Sequence, residues 1–537
     1  MDDLELISKG SETSASLADV LFPQCSTNAR TMWDTMAGTF SSDRQYLSDT
    51  QTVLKNYQYD QTLSWNESDS YFELHRPLAE NTAFETQYQY LDLDFVKWAN
   101  HNPVVCQLLV LANYTAPVLN TLLPFISVLI IMMVRYLRDG TISFSDFRTI
   151  IWETLGKRIA GFISAPTLTG KLYGLFIAAM YFTNIYANVR SCIKFKKSFI
   201  EIEGYLDATH AMLSASLAEC ERQVEAMDQL KTYEPYCDHL SEHFDSLSNA
   251  KDSMDKALSK PGGKRSNGPM YTAFYRFVMD PILVATCHIG TKILAYGEIL
   301  SRMCGHVSNG TMNYCKYSST RHTQIKDFRH PIMPPDTSIN NTVSLDKNIS
   351  ITGPNASGKT TVIKAVLINS LLSQQFGVGA YRSAKIRVAK GFHSYLNVPD
   401  TADRDSLFQA EARRCKMILD TLENSTGYHL CLFDELYSGT NPYEATGATI
   451  AYLSHVAESY PNVRFLLTTH LVDVCHRLKA SNKNMMMEGS IKDDIYCPTY
   501  KLKDGVSTVK SGYIVLKDLG YPMDIIKRLN SFAPQEN

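Results

Sequence analysis

The stretch ITGPNASGKTTVIKAV, Ile351 to Val366, decides the fold. Its centre, Gly353 to Thr360, fits G-x-x-x-x-G-K-[ST] without a mismatch. Asn348 to Thr352 reads as a short strand, and Thr361 to about Ser373 as an apolar-periodic helix. Strand, glycine loop and helix are the context that makes this pattern a phosphate cradle. Backbone N–H groups of the loop and the positive end of the helix dipole then face an anion. Gly353, Pro354, Asn355, Ala356, Ser357, Gly358, Lys359, Thr360 and Thr361 are the expected nucleotide-binding residues. Gly353 and Gly358 let the backbone wrap closely. Lys359 is expected to neutralise the β- and γ-phosphates of ATP, and the Thr360 hydroxyl to bind Mg²⁺.

Downstream, LCLFDELYSGTN, Leu430 to Asn441, supplies the complement. Tyr428 to Phe433 is an apolar strand that ends in Asp434 and Glu435. Asp434 is placed to hold the same Mg²⁺, and Glu435 to polarise an attacking water. A third apolar strand, VRFLLTTH, Val463 to His470, ends in a histidine. One reading of His470 is a capping or solvent-facing side chain; the other is a γ-phosphate sensor. Its position at the carboxyl end of a strand favours the sensor.

Taken in order, these segments resemble the ATPase domain of the MutS family of DNA mismatch repair proteins, from about Phe328 to the C-terminus. RHPIM, Arg329 to Met333, is similar to the family's entry motif. TGPNASGKTT and FDELYSGTNPYEA are similar to its Walker A loop and its Walker B strand with the following loop. LLTTHLVDV is similar to its histidine switch. AYRSAKI and SLFQAEA resemble the segment that supplies a serine acting in trans, here Ser406, with Phe408 and Glu411 at the family's spacing. YKLKDGVSTVKSGYIVLKDLGYPMDIIKRL resembles the closing hairpin and helix. The L-S-G-G-Q segment of ABC transporters is absent from the sequence.

The resemblance implies an α/β fold with a P-loop NTPase of ABC/MutS type at the C-terminus. It implies catalytic roles for Lys359, Glu435, His470 and Ser406, ATP and Mg²⁺ as cofactors, and a homodimer or heterodimer through the ATPase domain. It further implies that ATP switches a clamp on double-stranded DNA, mismatched or branched, as in mismatch repair. The sequence also departs from the pattern. Where the family carries an adenine-stacking aromatic, the aligned residue is Ser338, which leaves the base contact unassigned. No mismatch-reading Phe-x-Glu is found, since Phe72-Glu73 and Phe84-Glu85 lack the spacing and context. No nuclease domain is expected after Leu529.

Upstream of the ATPase the chain is expected to be mainly α-helical. Residues 1–103 mix short helices with loops. Val104 to Val134 is a run of 31 residues without Asp, Glu, Lys or Arg, and Leu172 to Val189 is a second uncharged run. Each is long enough to span a bilayer. Arg135 and Arg138 close the first run, and Arg190, Lys194, Lys196 and Lys197 follow the second, as suits membrane interfaces. A membrane hairpin over 104–190 is therefore one expectation. A pair of buried helices is the other, because Pro117, Pro124, Asn120, Thr121 and Asn184 interrupt the runs. Residues 191–325 read as a lever-like helical region. There Leu206, His210, Leu213, Leu217, Cys220, Val224 and Met227 form a narrow seam for a partner helix. The ATPase domain follows, over 326–537.

The 537 residues carry a net charge of −3, which does not mark the chain as held to nucleic acid by a basic surface. Twelve scattered cysteines without a Cys-x-x-Cys pair argue against structural zinc and a secreted disulfide framework. The acidic, polar start MDDLELISKGSETSAS is neither a secretory signal nor a basic transit peptide. An intracellular location is expected, membrane-anchored, with the ATPase in a cytosol-like compartment. A second function class fits the same engine: a membrane-anchored mechanical ATPase that acts on protein or lipid partners rather than DNA.

Overall fold

The computed structural model describes residues 4–7, 15–57, 65–140, 144–153, 168–259, 266–318, 322–396, 406–492, 495–507, 509, 516, 519–525 and 528. The last part of the expected closing hairpin and helix lies outside them.

The chain folds as two compact units built from interleaved segments. One comprises Met1–Trp65, Glu219–Leu240 and Leu294–Asn537; the other Asn66–Ala218 and Ser241–Ile293. The expected first segment, 1–103, thus divides between the units at residue 65. The expected boundary at 190/191 falls inside one continuous helix, Leu168–Met227, which holds both the second uncharged run and the seam.

The first unit contains all eleven described strands. They are β1 (Asn313–Tyr317), β2 (Gln324–Phe328), β3 (Asn341–Ser344), β4 (Asn348–Thr352), β5 (Val378–Gly379), β6 (Ser383–Ile386), β7 (Gly391–Tyr395), β8 (His429–Asp434), β9 (Val463–Thr468), β10 (Asn482–Lys492) and β11 (Ile495–Asp504). The larger sheet has the order β11-β10-β4-β9-β8-β7. From β10 to β7 it is parallel, and β11 adds an antiparallel edge. Its central strands, NISIT, HLCLFD and VRFLLT, are buried almost throughout, and the polar Asn348, Ser350 and Thr352 of the first are hydrogen-bonded to neighbouring strands. The smaller sheet, β3-β2-β6-β1-β5, is mainly antiparallel.

The helix Lys359–Gln375 packs against β8 and β9 of the larger sheet and β2 and β5 of the smaller. It carries no single apolar stripe, because 13 of its 17 residues are buried. Its two fully buried amides, Asn369 and Gln374, are satisfied. Asn369 donates to the Arg329 carbonyl (2.9 Å) and accepts from Ala380 N–H (2.7 Å), while Gln374 pairs with both backbone groups of Ala389. The N-terminal helices Thr27–Met36 and Arg44–Asn56 join the same core. Trp33 is fully buried against Phe22 and Phe376, and Gln51 donates to the Gly377 carbonyl at 2.7 Å.

The second unit is helical among its described residues. The helix Pro103–Asp139 starts with Asn102, whose side chain accepts from Val104 and Val105 N–H, followed by Pro103 in the first turn. It ends at Gly140 in the left-handed region, φ 73°. Around Tyr205 of the long helix lies an aromatic cluster with Tyr71, His75 and Phe274.

The seam packs as expected for Leu206, Leu213, Cys220 and Met227, all buried, but the buried stripe is wider and more polar. Thr209, Ser216, Glu219 and Gln223 are each fully buried on it. Glycines of the helix Pro281–Ser308 face Ser216 and Glu219. A Cβ on Gly290 would sit 2.8 Å from Ser216 Oγ, and one on Gly297 2.0 Å from the Glu219 carboxylate. His210 pairs with Asp255 at 2.7 Å, and the buried Cys220 thiol donates to the Leu240 carbonyl. No metal cluster is found among the described residues, and none of the twelve cysteines is in a disulfide; nine of them are buried.

Candidate nucleotide site

Strand register builds the site. Ile351 of β4 pairs with Thr468 of β9, and Thr468 pairs with Asp434 of β8. The carboxyl ends of three neighbouring parallel strands therefore end level, about 4.8 Å apart, and whatever follows each strand is brought to one place. After β4 comes the loop 353–358, after β8 the pair Asp434 and Glu435, and after β9 His470.

The loop is held closely. A Cβ on Gly353 would meet Ser357 Oγ at 2.8 Å and Met487 at 3.0 Å. Gly358 caps the helix Lys359–Gln375 at φ 93°, where an L side chain is strained, and its neighbour is the Tyr500 ring at 3.1 Å from an added Cβ. Lys359, only 6% exposed, donates from Nζ to the carbonyls of Gly353 (3.1 Å) and Pro354 (3.2 Å). Its Nζ also lies 3.2 Å from His470 Nε2 and 3.8 Å from Glu435 Oε1. Burial pulls the Lys359 pKa down, and the charges of Glu435 and Asp434 oppose that shift.

Thr360 donates its hydroxyl to Asp434 Oδ2 at 2.8 Å, and Thr468 donates to the other carboxylate oxygen. Glu435 takes a positive φ of 51°, with its N–H bonded to the Thr468 carbonyl. Its Oε1 lies 2.8 Å from His470 Nε2. That hydrogen bond is the largest influence holding the Glu435 carboxyl below its ordinary pKa, against the effect of burial. Lys359, Thr360, Asp434, Glu435 and His470 are thus one connected cluster.

Two observations fit a magnesium triphosphate. Ser357 Oγ is buried without a hydrogen-bond partner, on a loop where a Cβ at Gly353 would press on it and one at Gly358 would crowd the Tyr500 ring. Thr360 Oγ1 and Asp434 Oδ2 are hard oxygen donors at one point, the ligand type Mg²⁺ takes.

Ser406 is placed elsewhere. It caps the helix Leu407–Glu423 with a reciprocal capping box, Ser406 Oγ accepting from Gln409 N–H and Gln409 Oε1 accepting from Ser406 N–H. It therefore stands outside the cluster within one chain. The segment is nonetheless tied to the loop after Glu435. The buried Glu411 carboxylate accepts from Ser438 N–H, Ser438 Oγ and Gly439 N–H at 2.9–3.1 Å, and Phe408 packs on Tyr437.

Beside Gly358 lies a cavity of about 450 Å³ that sequence reasoning left unassigned. His330, Ser338, Thr361, Val362 and Tyr500 line it. His330 Nδ1 and Ser338 Oγ are buried without hydrogen-bond partners. Burial, with the nearby Lys364 charge adding to it, pushes the His330 pKa down to about 4, so its ring is neutral at pH 7. Tyr500, on β11, takes φ 56° and presents its ring to the loop. Ser338 is too small to stack on a base, but an aromatic face is present from another element. Nothing local in the sequence marks Tyr500.

Residues 349–535 match the family model of MutS domain V. The chain is 30% identical over 225 residues to the putative endonuclease MutS2 of Bacillus subtilis (strain 168), covering 41% of this chain and 28% of that protein. It is 25% identical over 256 residues to an endonuclease MutS2 of Staphylococcus saprophyticus, covering 47% and 32%. It is 29% identical over 217 residues to an endonuclease MutS2 of Bacillus cytotoxicus, covering 39% and 27%. The chain thus spans less than a third of the length of these curated relatives.

Proposed function

The chain belongs to the MutS family through its domain V, residues 349–535, and from that premise we propose that it is a Mg²⁺-dependent ATPase that couples ATP binding to a DNA-bound dimer. The convergence of Lys359, Thr360, Asp434, Glu435 and His470 on one point carries the ATPase part.

In this reading the loop amides and Lys359 hold the β- and γ-phosphates. Thr360 and Asp434 hold Mg²⁺, which neutralises charge that develops on the phosphates when bound. Glu435, ionised and half-exposed, accepts a proton from the attacking water. His470, within hydrogen-bond distance of both Glu435 and Lys359, orients the base and registers the γ-phosphate. Adenine enters the cavity beside Gly358, its ring against Tyr500, with His330 Nδ1 and Ser338 Oγ as polar partners for the base edge. Ser406, outside the cluster of its own chain, serves the γ-phosphate of a second subunit. Glu411 couples that serine to the loop behind Glu435.

Tyr500→Ala is expected to weaken ATP binding roughly tenfold or more, the range for loss of one stacked base. Inorganic tripolyphosphate, which has no base, should bind the variant as it binds the parent. Competition binding with both ligands checks this; equal losses for the two would remove Tyr500 from base recognition.

Double-stranded DNA, mismatched or branched, is the proposed partner by family analogy. Anisotropy titrations of the full chain with matched, mismatched and four-way duplexes at low salt test it. ATP-sensitive binding to at least one of them is expected. No binding to any would remove the DNA role and leave the ATPase intact. The nuclease activity in the relatives' names stays with those proteins.

A further inference from the structure

Three described helices are long and apolar enough to cross a membrane, and they differ in what covers them. The apolar stretch of Pro281–Ser308 is 56% buried, as a core helix should be. The stretches in Pro103–Leu123 and Lys171–Met227 are 11% and 0% buried. Leu119, Leu129, Met133, Leu175, Phe176 and Phe182 are each more than half exposed. A pair of buried helices, the alternative that the sequence left open, does not have this surface.

The two helices nevertheless meet, and they meet through polar groups. Tyr181 OH donates to the Thr121 carbonyl at 3.2 Å, and Asn188 Nδ2 donates to Thr121 Oγ1 at 3.1 Å. Tyr114 packs edge-on against Phe195 at 4.9 Å between ring centroids. These contacts fix an antiparallel register in which Thr121 lies level with the Tyr181–Asn188 stretch, and Tyr114 with Phe195. The hydrogen bonds of Thr121, Tyr181 and Asn188 lie between the helices, while the large apolar side chains named above face outward, together with the polar Asn120, Thr183 and Asn184. A contiguous apolar surface of this kind is rare on a monomer in water. In lipid, interhelical hydrogen bonds are what hold helices together, because the tails are as apolar as leucine.

Length and charge agree with a bilayer. Leu172 to Val189 holds 18 residues between Lys171 and Arg190 with no Asp, Glu, Lys or Arg. At about 1.5 Å per residue this is roughly 27 Å, close to the ~30 Å hydrocarbon core. On the antiparallel partner, Arg135 and Arg138 fall near the level of Lys171. At the opposite end, Lys194, Lys196 and Lys197 lie just past Arg190. There Gln87 and Lys194 line one groove, and Lys97 Nζ reaches Glu85 at 3.5 Å. Those contacts bring the exposed Phe95 and Trp98, 75% and 69% accessible, to the same end as the lysines. Aromatic rings and snorkelling lysines are the residues that settle at a headgroup boundary.

We propose that the helices 103–139 and 168–200 form a bilayer-spanning hairpin, with Phe95, Trp98, Lys194, Lys196 and Lys197 as the collar at one membrane boundary. This goes beyond the ATPase reading and does not rest on it. The test uses the full chain reconstituted in phosphatidylcholine vesicles, as the parent and as the conservative variant Leu129→Trp. The parent should resist extraction by alkaline carbonate and float with the vesicles. Lipids brominated mid-chain should quench the emission added by Leu129→Trp several-fold more than aqueous iodide does. Iodide should quench the Trp98 contribution, identified by its loss in Trp98→Phe, more than mid-chain bromines do. Release by carbonate would overturn the proposal. So would a detergent-free oligomer whose Leu129→Trp emission ignores brominated lipid, which would mean that a second copy covers the apolar faces.

Discussion

The full chain carrying Glu435→Gln is expected to bind MgATP as tightly as the parent and to turn it over roughly 10²–10⁴-fold more slowly, the range for loss of a positioned general base. The amide keeps the volume and a hydrogen bond toward His470, 2.8 Å away, so the cluster should stay assembled. It cannot accept the proton from water. Binding and hydrolysis therefore separate, and ATP-bound protein accumulates. If two subunits close on ATP, this variant should run as a dimer with MgATP and as a monomer without it in light scattering. Ser406→Ala in the same background should loosen that dimer while sparing ATP binding. Turnover at the parent rate would remove Glu435 from the role of base.

Lys359→Ala should cost at least about 100-fold in ATP affinity, because the phosphates lose charge-assisted hydrogen bonds worth ~1.5–3 kcal/mol each. Lys359 also holds the loop, through the carbonyls of Gly353 and Pro354. A loss of affinity could thus come from a disordered loop rather than from the missing charge. Lys359→Arg distinguishes the two causes. It restores the charge and donors, but its planar group does not reproduce the compact ammonium. A fold reporter such as the thermal midpoint should stay near the parent value in both variants, and affinity should recover only partly with arginine. Unchanged ATP affinity in Lys359→Ala would take the loop out of nucleotide binding.

The parts of the site that the sequence shows plainly are those written as contiguous segments. The loop 353–360, the strand ending in Asp434 and the strand ending before His470 each carry their own local pattern. Register then brings them together, since Ile351, Thr468 and Asp434 are paired neighbours. Tyr500 could not be read this way. It reaches Gly358 only because β11 folds back on β10, and β10 lies beside β4. The spacing marks Glu411, but its three hydrogen bonds to Ser438 and Gly439 depend on how the helix Leu407–Glu423 docks.

The boundary expected at 190/191 had a different difficulty. Composition changes there from uncharged to charged, yet no proline interrupts Lys171 to Met227, so the backbone stays helical from Leu168 to Met227. The narrow seam likewise understated the buried stripe. Thr209, Ser216, Glu219 and Gln223 are polar in sequence but buried, and at Ser216 and Glu219 the small residues Gly290 and Gly297 let the facing helix approach closely.

The central claim is that Lys359, Thr360, Asp434, Glu435 and His470 serve one magnesium-bound triphosphate. Calorimetric titration of the full-length Glu435→Gln protein in detergent with ATP, with and without Mg²⁺, tests it most directly. The account predicts one ATP per chain, tight with Mg²⁺ and markedly weaker without it, with the Mg²⁺ effect lost in Asp434→Asn. No heat of binding, or an affinity that ignores both Mg²⁺ and Asp434, would contradict it.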